Sequence, residues 1–294
     1  MSTTTILLAK ETKITRSRSL IARRSILKLI LYTLLISIGL LFLIPFYWMV
    51  MSSFRPLSEF YVMPIPLIPT KLALQNYQDL FLKTLFLRGM LNTAFISVVA
   101  VLTQVFFCGL AGYTFAKLKF KWREQLFVAV LITMMIPAGV RMIPNFIIMS
   151  RIHWIDTYLP LIVPSIANAF GIFWMRQYCQ SVSDDLLDAA RIDGAGEFTI
   201  FLKVVMPIIQ PALASLAIFV FLTTWNDFTD PLIFLRSPER FTIQLWLSLV
   251  SRSFDVPQPQ LVMAGSVLSS IPILILFVAL QRYFVAGLTA GSVK

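Results

Sequence analysis

The chain is 294 residues long, 58% hydrophobic and 13% charged, with a mean hydropathy of +0.81. A soluble domain is roughly 45–50% apolar and about 25% charged, so these residues cannot furnish the polar skin of a water-soluble fold. The net charge of +11 does not point to nucleic acid either, because the Lys and Arg residues fall between apolar runs, where membrane proteins carry them for topology.

A bilayer core of about 30 Å needs roughly 20 apolar residues in a helix, and charge-free runs near that length recur along the chain. A basic segment, 1–24, comes first and is read as cytosolic. The first run lies between Lys28 and Arg55. It is too long for the core of a signal peptide, and no small-x-small site follows Trp48, so it is expected to stay in the protein. Further runs lie between Arg88 and Lys117, Glu124 and Arg141, Asp156 and Arg176, Lys203 and Asp227, and Asp255 and Arg282. The third of these six is the shortest and holds Pro137, which predicts a helix that ends or kinks there before apolar character resumes at Met142. The spans are therefore placed at about 29–50, 89–116, 125–145, 157–176, 204–226 and 261–282, making residues 25–294 one all-α, polytopic integral membrane domain.

Six spans put both termini on one side. Most of the 25 Lys and Arg residues then share that side, including Lys117, Lys119, Lys121 and Arg123 in one short loop, which assigns it to the cytosol. No ionisable residue stands mid-span in the five longer runs, and Asp227 is at a span end, which argues against coupling to an ion gradient. No glycine-rich loop ending in Lys-Ser or Lys-Thr is present, so the chain carries no phosphate cradle of its own. His153 is the only histidine, and Cys108 and Cys179 sit in or beside apolar runs as packing residues; no metal or cofactor is expected. Asn92, Thr93, Gln104, Asn168, Thr223, Thr224 and Asn226 are polar residues in apolar runs. They either face a polar cargo or hold helices together, and the sequence assigns no substrate contact.

The segment 183–203 breaks the pattern. Ser183 suits an N-cap, with Asp184 and Asp185 in the first turn, where they complement the helix dipole. Leu186, Leu187, Ala190 and Ile192 recur at helical spacing, Asp193-Gly194 reads as a turn, and a second helix begins near Glu197 and runs towards Pro207. Five acids against Arg191 and Lys203 make the segment acidic on the side where other loops are basic. Helices that lie on anionic lipid are basic on their polar face, so this one reads as a protein-docking surface.

Here the sequence resembles the signature cytoplasmic loop of ATP-binding-cassette (ABC) importer permeases: Glu-Ala-Ala, three residues, Gly, nine residues, then Ile-x-Leu-Pro. The pattern stands as Asp188-Ala189-Ala190, Gly194, Val204, Met206, Pro207, with Asp for Glu and Val and Met for Ile and Leu. Asp156-Thr157-Tyr158, Pro160, Trp225-Asn226-Asp227-Phe228 and the last fourteen residues resemble the carbohydrate branch, in particular the smaller permease of maltose-type importers. The resemblance implies a type I importer permease in the bacterial inner membrane, pairing with a second, related permease around a translocation path. Cytosolic ATP-binding subunits would dock on each permease, and an extracytoplasmic solute-binding protein would deliver the carbohydrate. It gives Asp188, Ala189, Ala190, Asp193, Gly194 and Pro207 to ATPase coupling, brings residues 291–294 near that interface, and makes 227–260 the outer loop that meets the binding protein. No catalytic residue is implied; ATP hydrolysis belongs to the partner.

Overall fold

The computed structural model describes residues 3–64, 66–250 and 258–290, with side chains described from 26 to 249 and from 258 to 279 within those ranges. The tail 291–294 and part of the expected outer loop, 251–257, lie outside the described residues. Among those described there is no strand. Four helices are long and apolar enough to cross a membrane, and six spans result if each of two sharply bent helix pairs counts as one. The all-α, polytopic expectation is borne out.

Helix α1 (Thr3–Ser53) continues from the basic segment into the first apolar run, with Pro45 inside it. Its residues 26–47 expose almost every apolar side chain, as a helix solvated by lipid should. After α2 (Gln75–Leu82) comes α3 (Phe86–Lys117), the axis of the bundle. Then follow α4 (Arg123–Met134) and α5 (Ala138–Arg151), bent by 99° about Pro137. Pro137 has an extended ψ of 142°, which stops α4; Pro144 is tolerated inside α5.

The next span is assembled from α6 (Leu159–Ile162), a 3₁₀ turn and α7 (Ala169–Gln180), four residues beyond the expected end at 176. Asn168 caps α7, its side-chain oxygen accepting from Gly171 N. Helix α8 (Asp184–Ile192) and α9 (Glu197–Ile200) follow, and α9 runs through a π-helical turn, Phe201–Val205, into α10 (Met206–Ile208). Helix α11 is Gln210–Trp225.

Here the structure departs from the expected span at 204–226. The stretch Glu197–Ile208 is bent by 83° from α11, so residues 204–208 belong to the preceding helix. Ile209 leaves helical geometry (φ −88°, ψ 12°), and α11 restarts with Pro211 in its first turn, a position where the missing N–H costs nothing. The apolar run continued over the bend because Phe201, Val205 and Ile209 are buried against protein.

Short elements cover the end of the bundle where α3 begins: α12 (Thr229–Phe234), a 3₁₀ turn and α13 (Ile243–Val250). Helix α14 (Pro259–Ala290) closes the chain, packing against α11 and α1.

Helix α3 packs chiefly on α7 and α11. A β-carbon at Gly112 would sit 2.5 Å from Met175 Cβ, and one at Gly171 2.6 Å from Cys108 Sγ, so α3 and α7 meet where side chains are absent. Around that contact Cys108, Tyr113, Met175, Phe201, Val205 and Leu216 form the main core. A second cluster of Leu80, Phe86, Ile243, Trp246 and Leu261 ties α2, α13 and α14 to the start of α3.

Candidate functional site

At the C-terminal end of α3, α8 and α9 form one ordered unit. Ala195 N donates to Ala190 O and Gly194 N to Arg191 O, both at 3.0 Å, with Gly194 at φ +83°. These are the two bonds of a Schellman cap, whose left-handed residue is glycine because a side chain there is strained. Asp193 is the C-cap. Ser183 holds the N-cap position but makes no side-chain capping bond, contrary to expectation. Asp184 is instead turned to Lys117 at the end of α3 (2.7 Å), and the same ammonium donates to Val182 O at 2.6 Å. The hydrogen bond that Lys117 donates to Asp184 holds its carboxyl below the usual carboxylate range.

A second strut crosses the unit. Arg191 pairs with Asp188 (2.6 Å) and with Glu197 (2.8 Å), and Tyr113 of α3, fully buried, donates to Glu197 Oε2 at 2.5 Å. The bonds from Arg191 and then Tyr113 hold the Glu197 carboxyl low. Three of the five acids are thus ion-paired within the chain, two of them sharing Arg191, and the pairing of Asp184 with Lys117 of α3 was not visible in the segment's own charge count.

The expected coupling residues separate into two groups. Asp188, Ala189, Ala190, Asp193 and Gly194 come together on α8 and its cap; Pro207 stands apart in α10, at the bend. Ala189 is exposed, whereas Ala190 packs on the core. Of the apolar stripe only Leu187 is buried; Leu186, Ile192 and Phe198 are exposed by 51%, 86% and 55%. An ordered, braced unit that leaves large apolar side chains bare is suited to being covered by another protein.

Towards the other end of α3 lies a cavity of about 570 Å³, within the usual size of a small-molecule site. Gln104 and Asn168 hydrogen-bond each other at its wall, beside Thr93, Thr223 and Thr224. Five of the seven polar residues singled out from the sequence therefore line one space. The other two hold elements together: Asn92 donates to Glu239 O and Phe241 O, and Asn226 Oδ1 accepts from Gln244 Nε2 of α13. Arg141, Asp227 and Asp230 also line the cavity. Burial, then the neighbouring Asp230, pushes the Asp227 carboxyl up to about 6. The sequence showed Arg141 and Asp227 only as charges ending apolar runs and did not single out Asp230.

Beside the cavity mouth, Asp156 takes a left-handed φ of 61° and accepts hydrogen bonds from Arg236 N, Ser237 N and Ser237 Oγ, clipping the α5–α6 link to the α12–α13 link. Partial burial works against ionisation there, but these three donors prevail and bring its carboxyl down to about 2. Among the described residues no group of three or more His, Cys, Asp or Glu converges as metal ligands would.

A helical membrane domain with a braced helical unit at one end of its central helix and a polar cavity at the other has the build of a transporter subunit. The chain belongs to the family of binding-protein-dependent transport system inner membrane components, whose profile matches residues 108–290. It is 38% identical over 272 residues to the arabinooligosaccharides transport system permease protein AraQ of Halalkalibacterium halodurans, covering 88% of this chain and 96% of that one. It is 32% identical over 277 residues to the lactose transport system permease protein LacG of Rhizobium radiobacter, covering 92% and 98%. Among solved structures it resembles a chain of a bacterial ABC transporter involved in import of the acidic polysaccharide alginate, with a TM-score of 0.79, 27% identity and coverage of 88% and 96%. The family expected from the 188–207 motif is borne out, and the protein is a multi-pass membrane permease of the ABC importer class.

Proposed function

We propose that this chain forms half of the translocation path for a carbohydrate and is driven by a cytosolic ATPase that docks on residues 183–207. The observation that carries the reading is the α8–α9 unit, whose exposed Leu186, Ile192 and Phe198 surround a rigid cap braced on α3. A second permease closes the path, and an extracytoplasmic solute-binding protein delivers cargo to the cavity end. Both termini then face the cytosol, in agreement with the basic 117–123 loop. Asp188, Ala189, Asp193 and Gly194 shape the docked surface, Ala190 seats α8 on the core, and Pro207 marks the bend through which motion of α9–α10 reaches α11. The chain has no catalytic role; ATP is hydrolysed by the docked subunit. The names of the relatives, which specify arabinooligosaccharides and lactose, support a sugar cargo.

Affinity purification of the tagged chain from its native membrane tests this. An ATP-binding subunit and a second permease should come with it, and the reconstituted complex should import saccharide only with ATP and a binding protein. Uptake by the single chain down an ion gradient would refute the reading.

A further inference from the structure

Sugar hydroxyls donate and accept hydrogen bonds, so a saccharide site must offer both kinds of partner. The cavity beside α3 does. Asn145 and Asn168 bring amides, Thr224 a hydroxyl, Asp227 and Asp230 acceptors, and Arg141 donors. Asn168 is engaged with Gln104, and Asp227 Oδ1 accepts from Thr229 N and Asp230 N. The side chains of Asn145, Thr224, Asp230 and Arg141 have no hydrogen bond or ion pair among the described residues. Thr242, on the same wall and only 3% exposed, keeps its Oγ1 buried without a partner. Polar groups that merely cement helices are satisfied by one another; these are left open to the cavity, and the unmade hydrogen bond of the buried Thr242 hydroxyl costs free energy until something fills it.

The lining also has a sign. Among the described residues, Arg141, Asp227 and Asp230 are the charged members of the lining and sum to −1, and the field of Arg141 falls on Asp230. A carboxylate entering there would meet a lining that is already net negative, and like charge disfavours it. Among the described residues Phe234 is the single aromatic on the wall, and it is itself buried, so none of them offers a ring as a stacking platform. Contact is then polar and weak, as a transit site needs if cargo is to leave it.

We propose that this chain carries its own saccharide subsite in this cavity, and that the subsite accepts neutral sugars and turns away uronates. The inference rests on the carbohydrate-permease reading above. Its test uses the complete complex with partner permease, ATPase and binding protein, carrying Thr224→Cys, with Asn145→Cys as a second position should the first impair assembly. Both native cysteines are buried and react slowly. The rate of modification by a small thiol reagent is measured with arabinotriose, maltotriose, lactose or trigalacturonate. A neutral sugar that the complex imports should slow modification about tenfold at roughly ten times its Kd, since only the empty site reacts. Trigalacturonate should not protect. Adding Asp227→Asn and Asp230→Asn changes the sum to +1, and trigalacturonate should then protect. Import of a neutral sugar without protection at either position would put the contacts in the partner and overturn the subsite. Equal protection by the uronate in the parent complex would overturn its selectivity. A complex that imports no saccharide would sink the permease reading, and this inference with it.

Discussion

Tyr113 and Lys117, at the C-terminal end of α3, are bound to Glu197 and Asp184 across the chain, whereas at the cavity, along the other half of the same helix, the side chains of Asn145, Thr224 and Arg141 make no hydrogen bond or ion pair among the described residues. Both regions are polar and both lie against α3, yet one is closed on itself and the other is open. A closed network of charge-assisted bonds holds one geometry and can pass a push along a helix. An open set of donors and acceptors is stiff only when filled. The first suits a joint with another protein, the second a place through which a polar molecule passes.

Breaking the closed end should have the largest effect. Gly194 has open space where a β-carbon would go, so Gly194→Val suffers from its φ of +83° rather than from a clash. Backbone strain of this kind costs about 1–3 kcal/mol, enough to displace the cap without unfolding helices in the membrane. The variant should reach the membrane at near-normal abundance, with sugar uptake severely reduced and the ATPase lost or uncoupled. Full uptake with the ATPase still attached would remove the cap from the mechanism.

A smaller change sharpens the comparison. Tyr113→Phe keeps the ring packed on Phe201 and removes only the bond to Glu197. Hydrogen bonds to charged groups are worth about 1.5–3 kcal/mol. The ATPase should stay bound, and the number of ATP molecules hydrolysed per sugar imported should rise several-fold, because motion of α9 no longer reaches α3. An unchanged ratio would reduce Tyr113 to a packing residue.

The smallest effect lies at the Asp156 clip. Its carboxyl ionises near 2 in the fold against 3.8 for the free side chain, so its contribution to stability is complete above about pH 4 and is lost as pH falls through 2. Thermal unfolding of Asp156→Asn in detergent should show a deficit against the parent that is constant at neutral pH and closes on acidification towards 2. A deficit that widened on acidification would contradict the sign.

Much of this was legible in the sequence where one residue decides the local geometry. Charge-free runs pointed to the long apolar helices, Pro137 announced the bend between α4 and α5, and Asp193-Gly194 announced the Schellman turn. The bend at Ile209 was hidden because Val204, Val205 and Ile208 read equally well as lipid-facing or as buried against Phe201. The pairing of Tyr113 with Glu197 joins residues far apart in sequence, which periodicity cannot see. The cavity was invisible for the same reason. Arg141 ends one apolar run, Asp227 and Asp230 follow another, and only the bend at Pro137 and the turn after Trp225 bring them to one space.

Coupling through the α8–α9 unit is the central claim, and the exposed side chain of Ile192 offers the most direct probe of it. In the assembled complex a cysteine replacing Ile192 should escape a membrane-impermeant thiol reagent added to intact cells. It should react in inside-out vesicles stripped of the ATPase, and be shielded when the ATPase is restored. Modification of that cysteine from outside intact cells, or equal reactivity with and without the ATPase, would contradict the account.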